Sequence, residues 1–337
     1  MKLSVSLTEQ SVAIIGAGGY LAGPIARHLK EKGGYRIVAL VRPTTDVEAI
    51  SQIADDVKKG NLADAAFVKE ATKGCCAIVN FVNQLMPPCE TVLEQLANDL
   101  GPLQAGLEAA LAHDATFIHT SGNFSIPTKD ITVFTSQLPT KPDGATGAEE
   151  HWETFEHEGG LAAAVSALAE AKHRQDWALQ DFVAANPNSK ACVILPAAVY
   201  GPGIGKKISF WDFAAAQFLK GQFVDFAHSF IHIDDISKVY LSVVVQGGNT
   251  PGGRFPAYGE NMTGREFIGR YAKACGEPMV EDGPRCSDEE AARVYDDSST
   301  REEFKIVYEH TLDNSIDDAV ANLRQRNLIL VVGPEDA

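Results

Sequence analysis

Residues 11–23 have the sequence SVAIIGAGGYLAG, in which a short apolar run leads into a glycine-rich turn and then into an alanine- and leucine-rich segment. The apolar run predicts a buried strand, and residues 21–31 predict a helix. Glycines let the turn be tight, so that backbone N–H groups can approach a pyrophosphate while the helix N-terminus adds partial positive charge. A second predicted strand follows within about 30 residues, which completes the context that a dinucleotide-binding turn requires.

The alternation of short strands and longer helices continues along the first half of the chain. Further strands are predicted at residues 35–41, 77–82, 116–119 and 191–195. Helices are predicted between them, at residues 46–54, 63–72, 89–112 and 161–185. This order is typical of a parallel sheet with helices on both faces. We therefore predict an α/β fold, namely a Rossmann-like doubly wound parallel sheet with a smaller C-terminal α/β cap.

The same pattern divides the chain into two unequal parts. We assign residues 1–195 to an NAD(P)-binding Rossmann domain with an insertion at about 123–160. The insertion breaks the strand-helix rhythm, and its proline, glycine and threonine content predicts a long surface loop over the site. Residues 196–337 are mainly a substrate-binding cap, with residues 229–246 returning to the Rossmann sheet.

Composition limits the partners. The 337 residues include 29 Lys and Arg against 45 Asp and Glu, so the formal net charge is −16. Such a surface repels phosphate backbones and anionic lipids, which excludes nucleic acid and membranes as partners. No apolar run reaches the ~18–20 residues that a membrane span needs, and the first ten residues are too polar for a signal peptide. We expect a cytoplasmic protein with a small-molecule substrate, and a homodimer is compatible with the sequence.

The cysteines and histidines do not indicate a metal. None of the six cysteines has C-x-x-C spacing, so we expect reduced thiols and no metal site. His151, Glu153 and His157 could imitate metal ligands, but an acidic solvated loop is the preferred interpretation of that segment.

The end of the second predicted strand indicates which dinucleotide is bound. A carboxylate there would hold the ribose 2′-hydroxyl of NAD, whereas an arginine can pair with the 2′-phosphate of NADP. The strand ends with Arg42, followed by Thr44 and Thr45, and the first carboxylate is Asp46. The sequence therefore favours NADP(H) over NAD(H), the alternative being that Arg42 is only a solvated loop cation.

Motifs across most of residues 11–275 resemble the extended short-chain dehydrogenases/reductases, the NAD-dependent epimerase/dehydratase family. The turn has that family's G-x-x-G-x-x-A spacing. The other matching stretches are Gly60-Asn61-Leu62, Phe81-Val82-Asn83, His119-Thr120-Ser121-Gly122, Lys172, Leu195-Pro196-Ala197-Ala198-Val199-Tyr200-Gly201-Pro202-Gly203 and Phe230-Ile231-His232-Ile233-Asp234-Asp235-Ile236. The resemblance implies that the following residues hold the cofactor: Gly16, Gly18, Gly19, Tyr20, Leu21, Ala22, Arg42, Asn61, Leu62, Phe81, Val82, Lys172, Pro196 and Val199.

The predicted active centre departs from the family pattern. Members carry Tyr-x-x-x-Lys on the long helix, where the lysine binds the ribose and lowers the pKa of the tyrosine that exchanges the proton. Here the residue four before Lys172 is Leu168, and no tyrosine lies on that helix. The family's substrate-binding serine or threonine corresponds to Gly122, or to Ser121 if the alignment shifts by one residue. Lys172, Ser121 and Tyr200 are the catalytic candidates that remain.

Other groups could replace the missing phenol as proton donor. Tyr200, His173, Asn123 and the pair His151 and His157 are the candidates, although a structural role is favoured for Tyr200 and a surface position for His173. His232 and Asp235 could form a catalytic pair, but we expect them to fix the cap against the sheet.

Two functions follow. The first is an NADP(H)-dependent oxidoreductase for a small, largely apolar carbonyl, enone or imine metabolite, with a non-standard proton donor. The alternative is a redox-silent protein of the same fold. It would be a cyclase, isomerase or dehydratase acting on a natural product, or an NADP-sensing regulator.

Overall fold

The structure is a computed structural model that describes residues 10–82, 92–123, 133–134, 160–219, 227–278 and 286–328. Its strands are β1 Ser11–Ile15, β2 Arg36–Val41, β3 Asp56–Lys59, β4 Cys75–Asn80, β5 Thr116–Thr120, β6 Val133–Phe134, β7 Ala191–Pro196, β8 Ala198–Tyr200, β9 Ala227–His232, β10 Arg254–Ala257, β11 Glu260–Thr263 and β12 Val294–Tyr295. Its helices are α1 Ala22–Gly33, α2 Glu48–Ser51, α3 Ala65–Ala71, α4 Val92–His113, α5 Gly160–Ala185, α6 Phe210–Leu219, α7 Ile233–Gln246, α8 Gly264–Cys275, α9 Asp288–Ala291, α10 Ser298–Phe304 and α11 Leu312–Gln325.

Seven parallel strands form the large sheet, in the order β3-β2-β1-β4-β5-β7-β10. This is the predicted Rossmann-like doubly wound sheet. The chain runs outward from β1 in one direction to β3 and in the other to β10. A crevice therefore opens at the carboxyl ends of β1 and β4, where such sheets bind their ligands.

Alternation along the central strands supplies both core layers. In β1, Val12 and Ile14 face a cluster that includes Ile25 of α1 and Val239 of α7. Ala13 and Ile15 face the other cluster, which includes side chains of α3, α4 and α5. Because successive side chains of a strand point to opposite faces, a strand buried on both sides has an uninterrupted apolar sequence.

Helix α1 is fixed at both ends by residues suited to those positions. Pro24 lies in the first turn, where its missing N–H group breaks no helical hydrogen bond. Gly34 ends the helix with φ 69°, and its N–H group caps the carbonyls of Leu29 and Lys30. This left-handed conformation favours glycine.

The C-terminal part has its own small sheet and core. In that sheet, β9 pairs in parallel with β8 and antiparallel with β11. An apolar cluster fills the space between this sheet and helices α6, α8 and α11. We expected the segment 229–246 to return to the Rossmann sheet. Its strand and its helix contact different sheets. Helix α7 does pack on the Rossmann sheet, but β9 belongs to the small one, and the strand that rejoins the large sheet is β10.

Little of the predicted insertion lies within the described residues. Residues 133–134 form β6, which pairs in parallel with β12 of the C-terminal part. His151, Glu153 and His157 lie outside the described residues. Over the described ranges, none of the helices combines the length and the apolar character that crossing a bilayer requires.

A buried carboxylate joins α7 to the segment that precedes α11. Asp235 is 1% exposed, and its oxygens accept hydrogen bonds from the backbone N–H groups of Glu309 and His310 and from Lys238 Nζ. Although burial opposes the charge, these bonds hold the pKa of Asp235 below its ordinary value. We expected His232 and Asp235 to fix the cap against the sheet, and this geometry supports that role for Asp235.

We expect Asp235→Ala to lower the free energy of unfolding by about 3 kcal/mol, since it leaves backbone N–H groups and Lys238 without their acceptor. Asp234→Ala is the matched control, because Asp234 lies in the same helical turn with its side chain 56% exposed. That change should cost less than about 1 kcal/mol. Urea denaturation of both variants measures the difference.

The pKa of Asp235 is lowered on folding, so its stabilisation is present above the ordinary carboxyl pKa and is lost as the pH falls through the folded value. The difference in the free energy of unfolding between the wild type and Asp235→Ala should therefore become smaller at acidic pH. Equal losses in the two variants at neutral pH would contradict this role of Asp235.

Candidate dinucleotide and substrate site

The glycine turn is held against the strand beside it. The carbonyl oxygen of Leu40 in β2 accepts the N–H groups of both Gly16 and Ala17, at 3.0 and 3.2 Å. Gly16 has φ 82°, and a Cβ atom there would lie 3.1 Å from Val82 Cγ2. Only glycine satisfies both the left-handed backbone and this close approach to the end of β4.

The residues that follow leave a cradle suited to a pyrophosphate. Gly19 is exposed, and a Cβ atom there would approach only the carbonyl oxygen of Gly16, at 3.4 Å. Leu21 stands at the N-cap position of α1 and provides no side-chain hydrogen bond to the first turn. The free end of a helix offers N–H donors and partial positive charge to a phosphate. These residues therefore fit a dinucleotide.

The loop after β8 covers the start of α1. Tyr20 Oη donates a hydrogen bond to the Gly201 carbonyl at 2.6 Å. Ile204 packs so tightly on Gly23 that a side chain at that glycine would clash with it. Tyr20 and Gly23 thus link the turn and the start of α1 to the C-terminal part, while Leu21 packs against the core and Ala22 is buried in it.

Cationic side chains surround the end of β2. Arg42 is exposed and begins a turn in which the Thr45 N–H group bonds the Arg42 carbonyl at 3.0 Å. Lys59 Nζ donates to the Thr45 carbonyl at 3.4 Å. The carboxylate of Asp46 accepts the Glu48 N–H group and lies 3.6 Å from Lys206 Nζ. The one carboxylate of this turn is therefore already engaged.

The other predicted cofactor residues are spread along the same edge of the sheet. Asn61 is exposed and its Oδ1 atom accepts the Ala63 N–H group, whereas Leu62 is buried in the core. Phe81 is half-buried against the ring of Tyr240, 5.2 Å between ring centroids. Val82 touches the glycine turn as described above. Pro196 ends β7 and is buried, as is the side chain of Val199 in the core.

Lys172 lies in a buried polar site next to the end of β5. Its Nζ atom donates to the Thr120 carbonyl at 2.6 Å, and the residue is 5% exposed. Burial lowers the pKa of Lys172 to about 8, although Asp99 and Asp176 favour its charged form. Lys172 is therefore an ammonium ion at neutral pH, and a more acidic one than an exposed lysine.

The neighbouring His119 is neutral. Its ring is fully buried, with Nδ1 3.4 Å from Asn80 Nδ2 and Nε2 3.9 Å from an Asp176 oxygen. Burial holds the pKa of His119 well below its ordinary value, and the charge of Lys172 lowers it further. The contact with Asp176 is therefore not an ion pair.

Ser121 and Asn123 lie just beyond β5. Ser121 is 4% exposed, and its Oγ atom has no hydrogen-bond partner among the described residues. Asn123 is 3% exposed, and its amide group contacts His228 Nδ1 at 3.0 Å. The His228 ring packs against Trp211, Phe230 and Tyr295. The polar atoms that follow β5 thus adjoin aromatic side chains of the C-terminal part.

Tyr200 is placed elsewhere. It is fully buried in the C-terminal core, where its ring packs on Phe230 and Phe267 at centroid distances of 5.9 and 5.0 Å. Burial and the nearby Asp212 raise the pKa of Tyr200 well above its ordinary value. This environment favours the structural interpretation of Tyr200 over a role in proton transfer.

Sequence reasoning missed His228, which comes from β9. Its approach to Asn123 joins residues 105 positions apart, and the surrounding sequence has no motif that indicates it. Tyr258 was also missed. It follows β10, is 1% exposed, and its hydroxyl has no hydrogen-bond partner within the described part of the chain.

Comparisons agree with this architecture. Residues 12–255 match the model of the NAD dependent epimerase/dehydratase family. No curated protein matches the sequence. Vestitone reductase from alfalfa has a similar structure, with a TM-score of 0.72 and 16% identity, over 95% of this chain and 99% of that one.

Two epimerase structures are also similar. The UDP-Glc/GlcNAc 4-epimerase from Campylobacter jejuni gives a TM-score of 0.72 at 19% identity, over 94% of this chain and 99% of that chain. The UDP-glucose 4-epimerase from Bifidobacterium longum, solved with NAD+ and UDP, gives 0.69 at 17%, over 95% and 99%. At these identities the structures establish the fold, and the family match covers most of the chain. The chain belongs to the NAD-dependent epimerase/dehydratase family, whose members bind a nicotinamide dinucleotide.

Proposed function

We propose that the protein is an NADP(H)-dependent oxidoreductase that acts on a small, largely apolar carbonyl, enone or imine compound. The observation that carries this proposal is the buried Ser121 hydroxyl, which has no hydrogen-bond partner in the described part of the chain and lies one residue beyond the carbonyl that binds the Lys172 ammonium. A polar atom buried in this way costs free energy unless a ligand engages it. Ser121 follows β5 and the Lys172 ammonium binds the last carbonyl of β5, so both groups lie at the carboxyl edge of the sheet, where ligands of doubly wound folds bind.

NADP(H) is our choice of cofactor because of the charges at the end of β2. Arg42 and Lys59 are exposed there, while the Asp46 carboxylate is held by the Glu48 N–H group and Lys206. A guanidinium binds a phosphate through paired, charge-assisted hydrogen bonds. A ribose 2′-phosphate would therefore be favoured over a 2′-hydroxyl.

Ser121 and Lys172 are the residues to which we assign the chemistry at the substrate. When bound, the nicotinamide supplies the hydride. The Ser121 hydroxyl would donate a hydrogen bond to the substrate oxygen, and the Lys172 ammonium would provide the proton that this oxygen takes up. The pKa of Lys172, lowered to about 8 by burial, suits a general acid near neutral pH. Lys172 would thereby replace the tyrosine that α5 lacks.

The surroundings of His228 support an uncharged substrate. Burial lowers the pKa of His228 to about 3, so the imidazole is neutral. Trp211, Phe230 and Tyr295 contact its ring. Aromatic walls with a few fixed polar atoms are typical of pockets for small, largely apolar ligands.

A second candidate is the redox-silent use of the same pocket for cyclisation, isomerisation or dehydration. It is favoured by Leu168, which stands where the family carries its proton-exchanging tyrosine. A product formed without any change in nicotinamide absorbance would support this candidate. Oxidation of NADPH that depends on a ketone, enal or cyclic imine would support the oxidoreductase.

We expect Gly19→Val to weaken dinucleotide binding at least 100-fold, because the side chain would fill the cradle while its Cβ atom makes only an ordinary contact, 3.4 Å from the Gly16 carbonyl oxygen. Gly16→Val is a poorer test, since φ 82° and the contact with Val82 would also strain the fold. Fluorescence titration with NADPH measures the affinity, and thermal unfolding shows whether the variant is folded. Unchanged affinity in folded Gly19→Val would rule out this cradle.

We expect Arg42→Ala to raise the Kd for NADPH about tenfold or more and to leave the Kd for NADH nearly unchanged, because only NADPH carries the 2′-phosphate. Arg36→Ala is the matched control, as Arg36 begins the same strand at its opposite end. Wild-type protein that binds NADH more tightly than NADPH would refute the NADP(H) assignment.

We expect Lys172→Met to lower kcat roughly 100-fold with the best substrate of the panel, since the general acid is removed. In the wild type, kcat should fall as the pH rises through about 8, because the ammonium loses its proton there. The variant should lack this dependence. Lys190→Met, at an exposed lysine paired with Asp114, is the control. If the pH profile of kcat were unchanged in Lys172→Met, the assignment of Lys172 as the proton donor would be refuted.

A further inference from the structure

A hydrogen bond from the backbone fixes the tautomer of His228. The Ser229 N–H group donates to His228 Nδ1 at 2.7 Å. A backbone amide can only donate, so Nδ1 must be the unprotonated nitrogen. Burial lowers the pKa of His228 to about 3, so the ring is neutral and its single proton is on Nε2.

The tautomer in turn fixes the amide of Asn123. The Asn123 side chain lies 3.0 Å from the same Nδ1 atom. An unprotonated nitrogen can only accept, so Asn123 must present its NH2 group, and its donor and the Ser229 N–H group share the Nδ1 lone pair. The Oδ1 atom of Asn123 therefore points away from His228 and can only accept.

This oxygen is left without a donor. Asn123 is 3% exposed, and over the described residues Oδ1 has no hydrogen-bond partner. The same is true of Ser121 Oγ, two residues earlier. The Cα atoms of residues two apart are within about 7 Å of each other, so both atoms belong to one small region after β5. One is a fixed acceptor, and the other can donate.

We propose that Asn123 is a specificity-determining residue whose Oδ1 atom accepts a hydrogen bond from a hydroxyl or N–H group of the substrate. This inference rests on the proposed function, in which Ser121 donates to the reacting carbonyl oxygen. The preferred substrates are then hydroxycarbonyl compounds, or their N–H counterparts, in which the donor is carried by a carbon atom close to the reacting carbonyl carbon. The rings around His228 would contact the apolar remainder.

The class is narrower than an apolar carbonyl compound alone. An analogue that lacks the donor leaves Oδ1 buried and unpaired, and sites of this kind reject such analogues strongly. A methyl ether is rejected further, because its oxygen would face the acceptor Oδ1.

Three probes of similar shape test the proposal: 2-hydroxyacetophenone, 2-methoxyacetophenone and acetophenone. Calorimetric titration into protein saturated with NADP+ measures binding without turnover, and kcat/KM with NADPH measures reduction. We expect the wild type to prefer the hydroxyketone over the methyl ether at least tenfold in both measurements. Asn123→Leu should reduce this preference to threefold or less, and the control Asn249→Leu, at an exposed position, should retain it.

Asn123→Asp is a second variant at the same position, in case Asn123→Leu does not fold. In its protonated form an aspartate has both a donor for His228 Nδ1 and an acceptor oxygen, so this variant should retain the preference at a pH below the pKa of the new carboxyl group. A preference below threefold in the wild type, an unchanged preference in Asn123→Leu, or no binding of any probe would overturn the proposal. Selective binding without NADPH oxidation would support the role of Asn123 while refuting the oxidoreductase. Reduction of all three ketones at equal efficiency would support the oxidoreductase while refuting the role of Asn123.

Discussion

The parallel register of the central strands is the constraint on which the candidate site depends. β1 pairs with β2 on one side and with β4 on the other, so the ends of all three strands meet at one edge. The Leu40 carbonyl at the end of β2 binds the first two N–H groups of the glycine turn, and the Phe81 N–H group binds the Ile15 carbonyl. A shift of one residue in either pairing would exchange the side chains that β1 gives to its two core layers and would remove the turn from its partners.

Burial of polar groups at the same edge sets their protonation. Lys172 and His119 are both buried close to Asp176, and desolvation lowers the pKa of each. The lysine remains charged at neutral pH and the histidine does not, because the ordinary pKa of lysine is far higher. The net charge of −16 therefore says little about the site, where the cations Arg42, Lys59 and Lys172 are kept locally by particular contacts.

Contacts between the two parts of the chain converge on the cofactor turn. Tyr20 bonds the Gly201 carbonyl, and the Gly203 N–H group bonds Asn322 Oδ1 of α11. Arg326, just after α11, donates to the carbonyls of Gly205 and Lys207. The loop that covers the start of α1 is thus held from the C-terminal side. Helix α11 and the residue after it are therefore hydrogen-bonded to the loop that covers the glycine turn.

The sequence alone determined the large sheet where strands are apolar on both faces. Residues 11–15 and 191–195 were predicted almost to the residue, since a strand covered by helices on both sides must be apolar throughout. β3 escaped prediction because DVKK lies at the sheet edge and carries few apolar side chains. β10 escaped because Pro256 is unusual in a strand, although an edge strand tolerates it.

The glycine turn was also indicated by the sequence, because short-range spacing decides which residues follow a strand, whereas the candidates Lys172 and Ser121 were named from the family resemblance. Only the tertiary structure decided which side chains meet. It placed Tyr200 in the C-terminal core, gave Lys172 the Thr120 carbonyl, and brought His228 to Asn123. The orientation of the Asn123 amide follows from a backbone donor 106 positions away in the chain, at Ser229. Such pairings depend on how distant segments pack, and local backbone preferences do not encode them.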